Sequence, residues 1–251
     1  DDISIPLNYF NHALDKICNH PLDVYGGPDT FKENESSFEK IFSQALKSPL
    51  TFGHTVLRHN PKKSSIDNQS KLQKGHEGNL ILCHLWFKRS LFTDDGWSFD
   101  QRLFRNEENL LLWRLGKSNA KIYYDAELFV HHQRKHNVKA IFQTYFKSGF
   151  YRVKSNLLYP RSFNLYYFFP LVIVLTFLSP VLRVLGLLYL ALLFIESFYH
   201  SFKYLKLNTF ITLFLLKVII LISYVIGNFS SLVVFAKDLL FSFLDIKGKY
   251  L

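Results

Sequence analysis

Long apolar runs separated by short polar breaks occupy the last third of the chain. The first run extends from Leu165 to Phe198 and carries only Arg183 and Glu196 as charged residues. The second run extends from Phe210 to Ala236 and carries only Lys217. Since a helix crosses a bilayer with about 20 mostly apolar residues, the pattern predicts a transmembrane region at residues 161–251, with about three helices.

The breaks in these runs bear on the number of spans. Pro180 and the region Arg183–Gly186 favour a turn that divides the first run into two short spans. Lys203 and Lys206 make the loop between the runs basic, which is typical of the cytoplasmic side. The C-terminal end is also basic, and three spans cannot place both this loop and the C-terminal end on one side, so two to four spans stay open. Lys217 is interpreted as snorkelling or facing a neighbouring helix, with a functional group as the alternative.

The head, residues 1–136, alternates short apolar segments with amphipathic ones. Helical spacing of apolar residues predicts helices at Leu7–Cys18, Ser36–Leu46 and Glu107–Gly116. Short apolar segments predict strands at Asp23–Tyr25, Thr51–Leu57, Leu80–Leu85, Lys121–Tyr124 and Leu128–His131. The polar stretch Asn60–Gly78 predicts a mobile loop, and Gly116 is expected to end its helix. Strands alternating with helices predict an α/β layer fold.

Residues 137–160 are predicted to form an amphipathic helix and a linker. Apolar side chains recur there at helical spacing, at Val138, Ile141, Phe142, Tyr145, Phe146, Phe150 and Val153. The opposite face is basic, with Lys139, Lys147, Arg152 and Lys154. A basic amphipathic helix directly before apolar runs is typical of a helix in the membrane interface. The alternative is an ordinary surface helix packed on the head.

Charge and cysteine content narrow the class of protein. The 251 residues carry a net charge of +10 at pH 7, and most of the charged residues lie before Phe163. Cys18 and Cys83 have no CxxC partner, which predicts two reduced thiols, as expected of a cytoplasmic head. The sequence contains no methionine and is interpreted as the C-terminal part of a longer protein.

Two acidic pairs are candidates for chemistry. Asp1 and Asp2 offer the oxygen ligands that a divalent cation prefers, although two solvated acids are the alternative. Glu107 and Glu108 lie at the predicted start of a helix. A carboxylate there can act as a general base that takes the proton of an acceptor hydroxyl. The alternative is that both acids complement the helix dipole.

A third cluster of candidate residues is basic. Its members lie between positions 131 and 152: His131, His132, Arg134, Gln143, Lys147 and Arg152. Cations in such a cluster can neutralise a departing diphosphate, which is a large electrostatic contribution to such reactions. His132 is also a candidate metal ligand, although the run from His131 to His136 fits no standard zinc motif.

In chain order these clusters belong to a series of motifs. The motifs are DDISIPLNYF, DVYGGPDTF, ALKSPLTFGH, FKRSLF…DDGWSFDQRLFRNEENLLLWRL and FQTYFKSGFYR. The series, which covers most of Asp1–Arg152, resembles the second half of an inverting family 2 glycosyltransferase. It is similar in particular to the membrane-anchored enzymes of the succinoglycan-synthesis type. The resemblance implies that residues 1–136 are part of a GT-A (Rossmann-like) catalytic domain whose nucleotide-binding half is missing here.

The resemblance also implies roles for individual residues. Asp1 matches the last aspartate of the Asp-x-Asp metal motif, and the implied cofactor is Mg²⁺ or Mn²⁺. The Glu107-Glu108 pair matches the Glu-Asp pair of the family, which makes Glu108 the candidate base. A glutamate departs from the family by one methylene. The stretch Gln143–Arg152 is a loose counterpart, without tryptophan, of the Gln/Arg-x-x-Arg-Trp element that contacts acceptor and diphosphate.

The implied reaction is direct displacement with inversion at the anomeric carbon. The donor is a nucleotide sugar, and the acceptor is a lipid-linked saccharide or polysaccharide of cell-surface or exopolysaccharide synthesis. The implied place is the cell (inner) membrane, with several spans and a cytoplasmic head, and no nucleic acid is expected as a partner. The alternative is a non-catalytic membrane protein, either a degenerate transferase or an assembly partner, which the glutamate at position 108 favours.

Overall fold

The computed structural model of the chain describes residues 3–31, 36–60 and 72–248. The α-helices are α1 Tyr9–Asn19, α2 Ser37–Leu46, α3 Pro49–Phe52, α4 Ser90–Thr93, α5 Glu107–Lys117, α6 Val138–Leu158, α7 Phe169–Thr176, α8 Arg183–Tyr204 and α9 Phe210–Gly248. The strands are β1 Ile3–Ser4, β2 Val24–Gly26, β3 Asp29–Thr30, β4 Leu72–Lys74, β5 Trp86–Phe87, β6 Ile122–Asp125 and β7 Val130–His132.

The strands form two small mixed sheets. One has the order β4-β6-β2-β5, in which β2 and β6 are parallel and the two edge strands run antiparallel to their neighbours. The other has the order β1-β7-β3, with β1 antiparallel and β3 parallel to β7. Each sheet contains one parallel pair of strands that are about 100 positions apart in the sequence. These pairs are β2 with β6 and β3 with β7.

The predicted α/β fold, a partial GT-A (Rossmann-like) domain, is wrong. The structure is 64% helical, with 8% of residues in strands. Two predicted strands are helical instead: Thr51–Leu57 falls in α3 and the 3-10 helix Gly53–His59, and Leu80–Leu85 contains the 3-10 helix Leu82–His84. Short apolar segments do not distinguish a strand from a buried helical turn by periodicity alone, and here tertiary packing selects the turn.

Other local predictions are confirmed. Helices α2, α5 and α6 lie close to their predicted bounds, and β2, β6 and β7 appear where strands were expected. A capping box begins α2, since the Ser36 hydroxyl accepts from the Glu39 N–H at 3.3 Å and the Glu39 carboxylate accepts from the Ser36 N–H at 2.9 Å. Gly116, however, lies inside α5, and the turn after the helix uses Asn119 at a φ of 63°.

Helix α1 is present where it was predicted, but several apolar side chains at its start are exposed. Leu7 just before it is 102% exposed, and Phe10 and Leu14 are both about half exposed. The helix buries Tyr9 and Ala13, with Ile17 packed beside them, against the sheets. Helical spacing therefore identifies the helix but not which of its residues are buried.

The prediction of a loop over the polar stretch Asn60–Gly78 is wrong for three of its residues. Leu72–Lys74 forms β4, which pairs antiparallel with β6. Residues 61–71 lie outside the described residues. The segment has no alternation of apolar residues, yet it becomes the edge strand because its backbone pairs with that of β6.

Two helices are long and apolar enough to cross a membrane: Arg183–Tyr204 and Leu207–Leu240. The apolar helical segment Leu165–Thr176 is shorter, and about 18 Å of helix does not span a hydrocarbon core of about 30 Å. The chain thus has two such helices in its described part, where about three were expected. The break at Pro180 is confirmed, but Arg183–Gly186 belongs to α8.

The head is fastened to the apolar helices at several points. Helix α6 crosses α9 at two glycines: a Cβ added to Gly149 would lie 2.1 Å from the Tyr224 carbonyl oxygen, and one added to Gly227 would lie 2.1 Å from the Phe146 carbonyl oxygen. The Asn228 side-chain amide donates to the Gly149 carbonyl at 2.9 Å. Since neither glycine has room for a side chain, α6 is held directly against α9.

A buried ion pair joins α8, α9 and the head. The Lys217 ammonium, which is fully buried, lies 2.8 Å from the Glu196 carboxylate. The Ser48 hydroxyl, just before α3, donates to the same Glu196 oxygen at 2.5 Å. Lys217 therefore faces a neighbouring helix, as one of the two interpretations predicted.

Candidate functional site

A basic cleft lies where the loop before α5, the loop after β7 and the first half of α6 meet. It has a volume of about 180 Å³ and is lined by Arg105, Lys135, Ala140, Gln143, Thr144 and Lys147. Gln143 and Lys147 are exposed and lie one helical turn apart on α6, so both point from the same face. Two of the predicted diphosphate-binding residues are therefore brought together, with two cations that sequence reasoning missed.

The chemistry of this basic cleft is that of an anion site. Arg105, Lys135 and Lys147 contribute three cations, and no acid is among the lining residues. Within the described ranges, none of these three cations forms an ion pair or side-chain hydrogen bond. Clustered cations raise the local concentration of anions, and one arginine guanidinium can bind two phosphate oxygens at once.

The predicted acidic pair begins α5, two residues after Arg105. Asn106 adopts a left-handed conformation, with a φ of 64°, so the chain turns sharply between Arg105 and Glu107. Glu107 is partly buried, and its Oε2 has no hydrogen-bond partner among the described residues. Burial raises the pKa of Glu107, with the charge of Glu108 adding to the shift. A raised pKa brings a carboxylate closer to the range in which it accepts a proton efficiently.

A second polar centre, which we call the Asp29 centre, surrounds a fully buried carboxylate of β3. The Arg134 guanidinium donates to both Asp29 oxygens, at 2.9 and 3.0 Å. His59 Nδ1 lies 2.5 Å and His132 Nδ1 3.1 Å from the same carboxylate. Burial by itself raises the pKa of Asp29, but His59 and Arg134 outweigh it and hold that pKa well below its usual range.

The Asp29 centre separates three predicted site residues from the basic cleft. Arg134 is only 4% exposed and is fully engaged by Asp29. His132 bonds to Asp29 as well, and His131 Nδ1 lies 3.0 Å from the Phe31 carbonyl oxygen. The structure thus places these three side chains in internal contacts of the head. The signal that sequence reasoning missed is Asp29 itself, in the quoted DVYGGPDTF motif.

Arg152 lies neither in the basic cleft nor in the Asp29 centre. It is 9% exposed, although it was predicted on the exposed basic face of α6. Its Nη2 donates to the Asn106 side-chain oxygen at 3.1 Å, and its guanidinium stacks on the Tyr167 ring with 3.8 Å to the ring centre. It lines a separate cavity and not the basic cleft. Its contact with Asn106 nevertheless connects it to the turn that presents Glu107.

A cation has one candidate site among the described residues. The ligand atoms of His12, Asp125 and Glu127 lie within 4.8 Å of one another. The Asp125 carboxylate is already bonded to His12 Nε2 at 2.8 Å, the Tyr25 hydroxyl at 2.7 Å and the Glu127 N–H at 2.8 Å. These contacts tie α1 to the four-stranded sheet. Residues 113 positions apart meet here, so no local pattern could have identified them.

Of the predicted Mg²⁺ or Mn²⁺ ligands, Asp1 and Asp2 lie outside the described residues. His132 lies among the described residues, and its Nδ1 faces Asp29. The cation stays a prediction, and no step below is assigned to one.

Comparison with known proteins identifies no relative of this chain. No protein-family model, no curated protein and no solved structure matches this chain. The functional conclusion therefore depends on the geometry of the chain and on the resemblance of its motifs.

Proposed function

We propose that this protein is a membrane-associated glycosyltransferase that moves a sugar from a nucleotide-sugar donor to a lipid-linked saccharide. The observation that carries the proposal is the basic cleft, whose Arg105 lies two residues before the Glu107-Glu108 pair. Clustered cations for the leaving diphosphate and a carboxylate base are the two groups that an inverting transfer to a hydroxyl uses. The proposal concerns these groups and implies no Rossmann-like fold.

The basic cleft would hold the leaving diphosphate. Charge develops on the diphosphate as the sugar departs, and fixed cations stabilise that charge without reorganisation. Arg105 lies in the loop before α5 and Lys147 lies on α6, so a diphosphate between them is held from two elements. The exposed Gln143 amide donates an additional hydrogen bond from the same face as Lys147.

The acidic pair would supply the general base. The resemblance of the motif assigns the base to Glu108, and the raised pKa makes Glu107 its competitor. Either carboxylate would take the acceptor hydroxyl proton while that oxygen attacks the anomeric carbon, and the sugar–diphosphate bond breaks on the opposite side. The left-handed Asn106 lies between Arg105 of the cleft and this acidic pair.

The apolar helices would place this reaction at a membrane. Helix α6, which carries Gln143 and Lys147, packs directly on α9 through Gly149 and Gly227. A cleft on this helix lies next to the bilayer if α8 and α9 span it, and a lipid-linked acceptor then reaches the site without leaving the membrane. We place the protein in the cell (inner) membrane as a multi-pass protein with its head in the cytoplasm, where nucleotide sugars are available.

One observation favours the alternative of a non-catalytic membrane protein. Arg134 and His132, expected on the diphosphate, are held by Asp29. On this alternative the basic cleft binds the anionic lipid surface and Glu107-Glu108 has no chemical role.

Turnover of nucleotide sugars by the full-length protein in native membranes separates the two functions. We expect Glu108→Gln to lower turnover by about 10²–10⁴-fold, the contribution of a general base, and Glu108→Asp to retain measurable activity. Glu107→Gln is the matched control, since it removes the neighbouring carboxylate. Equal turnover in the wild type and Glu108→Gln would remove Glu108 as the base, and a loss confined to Glu107→Gln would transfer that role to Glu107.

A further inference from the structure

The side chain of Asn106 joins the acidic pair to two elements that line the basic cleft. Asn106 follows Arg105, which lines the cleft, and precedes Glu107, the first residue of α5. Its side-chain amide donates to the Ser148 carbonyl at 3.1 Å. Ser148 follows Lys147, the cleft cation on α6. This hydrogen bond therefore sets the spacing between α6 and the loop before α5 at the point where both reach the cleft.

The side-chain oxygen of Asn106 is bound as well. It accepts from the Asn109 side-chain amide at 2.9 Å and from Arg152 Nη2 at 3.1 Å, which uses both of its lone pairs. All three side chains are buried, so water competes little for these bonds. With the bond to Ser148, the Asn106 side chain contacts α6 at two positions one helical turn apart.

The partners of this side chain are themselves held in place. The Arg152 guanidinium lies on the Tyr167 ring, 3.8 Å from the ring centre. The Asn109 side-chain oxygen accepts from Arg58 Nη2, which also donates to the Glu77 carbonyl. Side chains that are fixed by packing and further hydrogen bonds hold a site more precisely than mobile ones. The network therefore holds the start of α5 firmly against α6.

Asn106 does not use its side chain to begin the helix. An asparagine before a helix ordinarily accepts a hydrogen bond from a backbone N–H of the first turn, but the Asn106 side chain makes no such capping bond. Its backbone carbonyl accepts from the Leu110 N–H at 2.9 Å, which is the first bond of α5. The backbone thus begins the helix, and the side chain is left to determine where that helix lies.

We infer that Asn106 is a positioning residue that sets the distance between the acidic pair and the basic cleft. The inference rests on the proposed function, in which a base and a departing diphosphate lie on opposite sides of one anomeric carbon. A displacement of about 1 Å between reacting groups costs about 10²-fold in rate. Arg152, which was predicted among the diphosphate-binding residues, acts on this arrangement through its bond to Asn106.

The kinetics of Asn106→Gly test the inference, because glycine adopts the left-handed conformation freely and only the side-chain bonds are lost. Asn119→Gly is the matched control, since Asn119 is exposed, follows the other end of α5 and has a φ of 63°. In the full-length protein in detergent, we expect Asn106→Gly to lower kcat by about tenfold to a hundredfold with little change in KM. Asn119→Gly should keep the wild-type kcat. A merely structural role would reduce the amount of folded protein and leave kcat per folded molecule unchanged.

Amide hydrogen exchange measures the same position without turnover. The amides of Leu110–Leu112 should exchange about fivefold faster or more in Asn106→Gly and at the wild-type rate in Asn119→Gly. Asn106→Asp keeps a side-chain oxygen as acceptor, so it should retain more protection than Asn106→Gly, and it replaces that variant if the glycine prevents folding. Unchanged exchange, or faster exchange with a wild-type kcat, would overturn the inference. If the wild type shows no turnover, the proposed function fails and the exchange alone decides whether Asn106 holds α5.

Discussion

The Asp29 centre and the basic cleft contain the same kinds of side chain, used in opposite ways. In the Asp29 centre a buried arginine meets both oxygens of a buried carboxylate. In the basic cleft three cations line an open surface without an acid among them. Paired buried charges hold the head together, and unpaired surface cations leave their donors for a ligand. The comparison shows that the surroundings of a basic residue, more than its position in a motif, indicate its role.

The two regions are neighbours in sequence but are delivered by different elements. His132 belongs to β7, which lies beside β3, and Arg134 follows that strand, so both reach Asp29. Gln143 and Lys147 lie on α6 and point to the surface. The chain therefore passes from the structural cluster to the candidate ligand site between Arg134 and Lys135, in the loop after β7.

Removal of the central carboxylate should break the Asp29 centre. We expect Asp29→Ala to lower the free energy of unfolding by about 3–5 kcal/mol, because it leaves the Arg134 guanidinium buried and unpaired. Chemical denaturation in detergent measures this change. Asp94→Ala, at an exposed aspartate, is the control and should change stability by less than about 0.5 kcal/mol. Equal stabilities of the two variants would show that the Asp29 centre does not hold the head.

A methyl group at the helix crossing should disturb the basic cleft without touching it. Gly227→Ala places a Cβ against the Phe146 carbonyl, and we expect overpacking to cost about 1–3 kcal/mol. Because α6 carries Gln143 and Lys147, turnover should fall as well. Gly116→Ala is the matched control, since a Cβ there meets no atom within 4 Å. Unchanged stability in Gly227→Ala would mean that α6 is not held at this crossing.

The pH dependence of the stability difference between the wild type and Asp29→Asn should report the Asp29 centre. The folded pKa of Asp29 is depressed, so its contribution is fully present above the unfolded value of about 3.9 and is lost as pH falls through the folded pKa. The stability difference between the wild type and Asp29→Asn should therefore shrink as pH falls below about 4. Because Asp29 also raises the pKa of His59, the difference has a second, separate change in the histidine range. A difference that does not shrink below about pH 4 would contradict this assignment.

The parts of the fold that depend on local pattern could be predicted from sequence. Ser36 and Glu39 make a capping box, and α2 follows it; the stripe from Val138 to Val153 correctly predicted α6. The face of a helix was harder to predict, since Leu7 and Phe10 are exposed and Ala13 is buried. A helical pattern predicts which residues lie on the same face of the helix. Which face is buried depends on the elements that pack against the helix.

The candidate site could be predicted only in part, for a related reason. Gln143 and Lys147 lie together because one helix carries both. The contact of Arg134 with Asp29 joins residues 105 positions apart, and the parallel pairing of β3 with β7 that creates it has no signature in either segment. The prediction of an α/β fold was wrong because Thr51–Leu57 and Leu80–Leu85, which are apolar and short, form helical turns.

Binding of inorganic pyrophosphate to the full-length protein, measured by calorimetry, tests the role of the basic cleft most directly. We predict that Lys147→Gln weakens binding by about tenfold, equivalent to about 1.4 kcal/mol, and that Lys139→Gln, on the same helix but outside the cleft, leaves it unchanged. Stability should be the same in both variants. Equal pyrophosphate affinities in the wild type, Lys147→Gln and Lys139→Gln would contradict the assignment of the basic cleft as the diphosphate site.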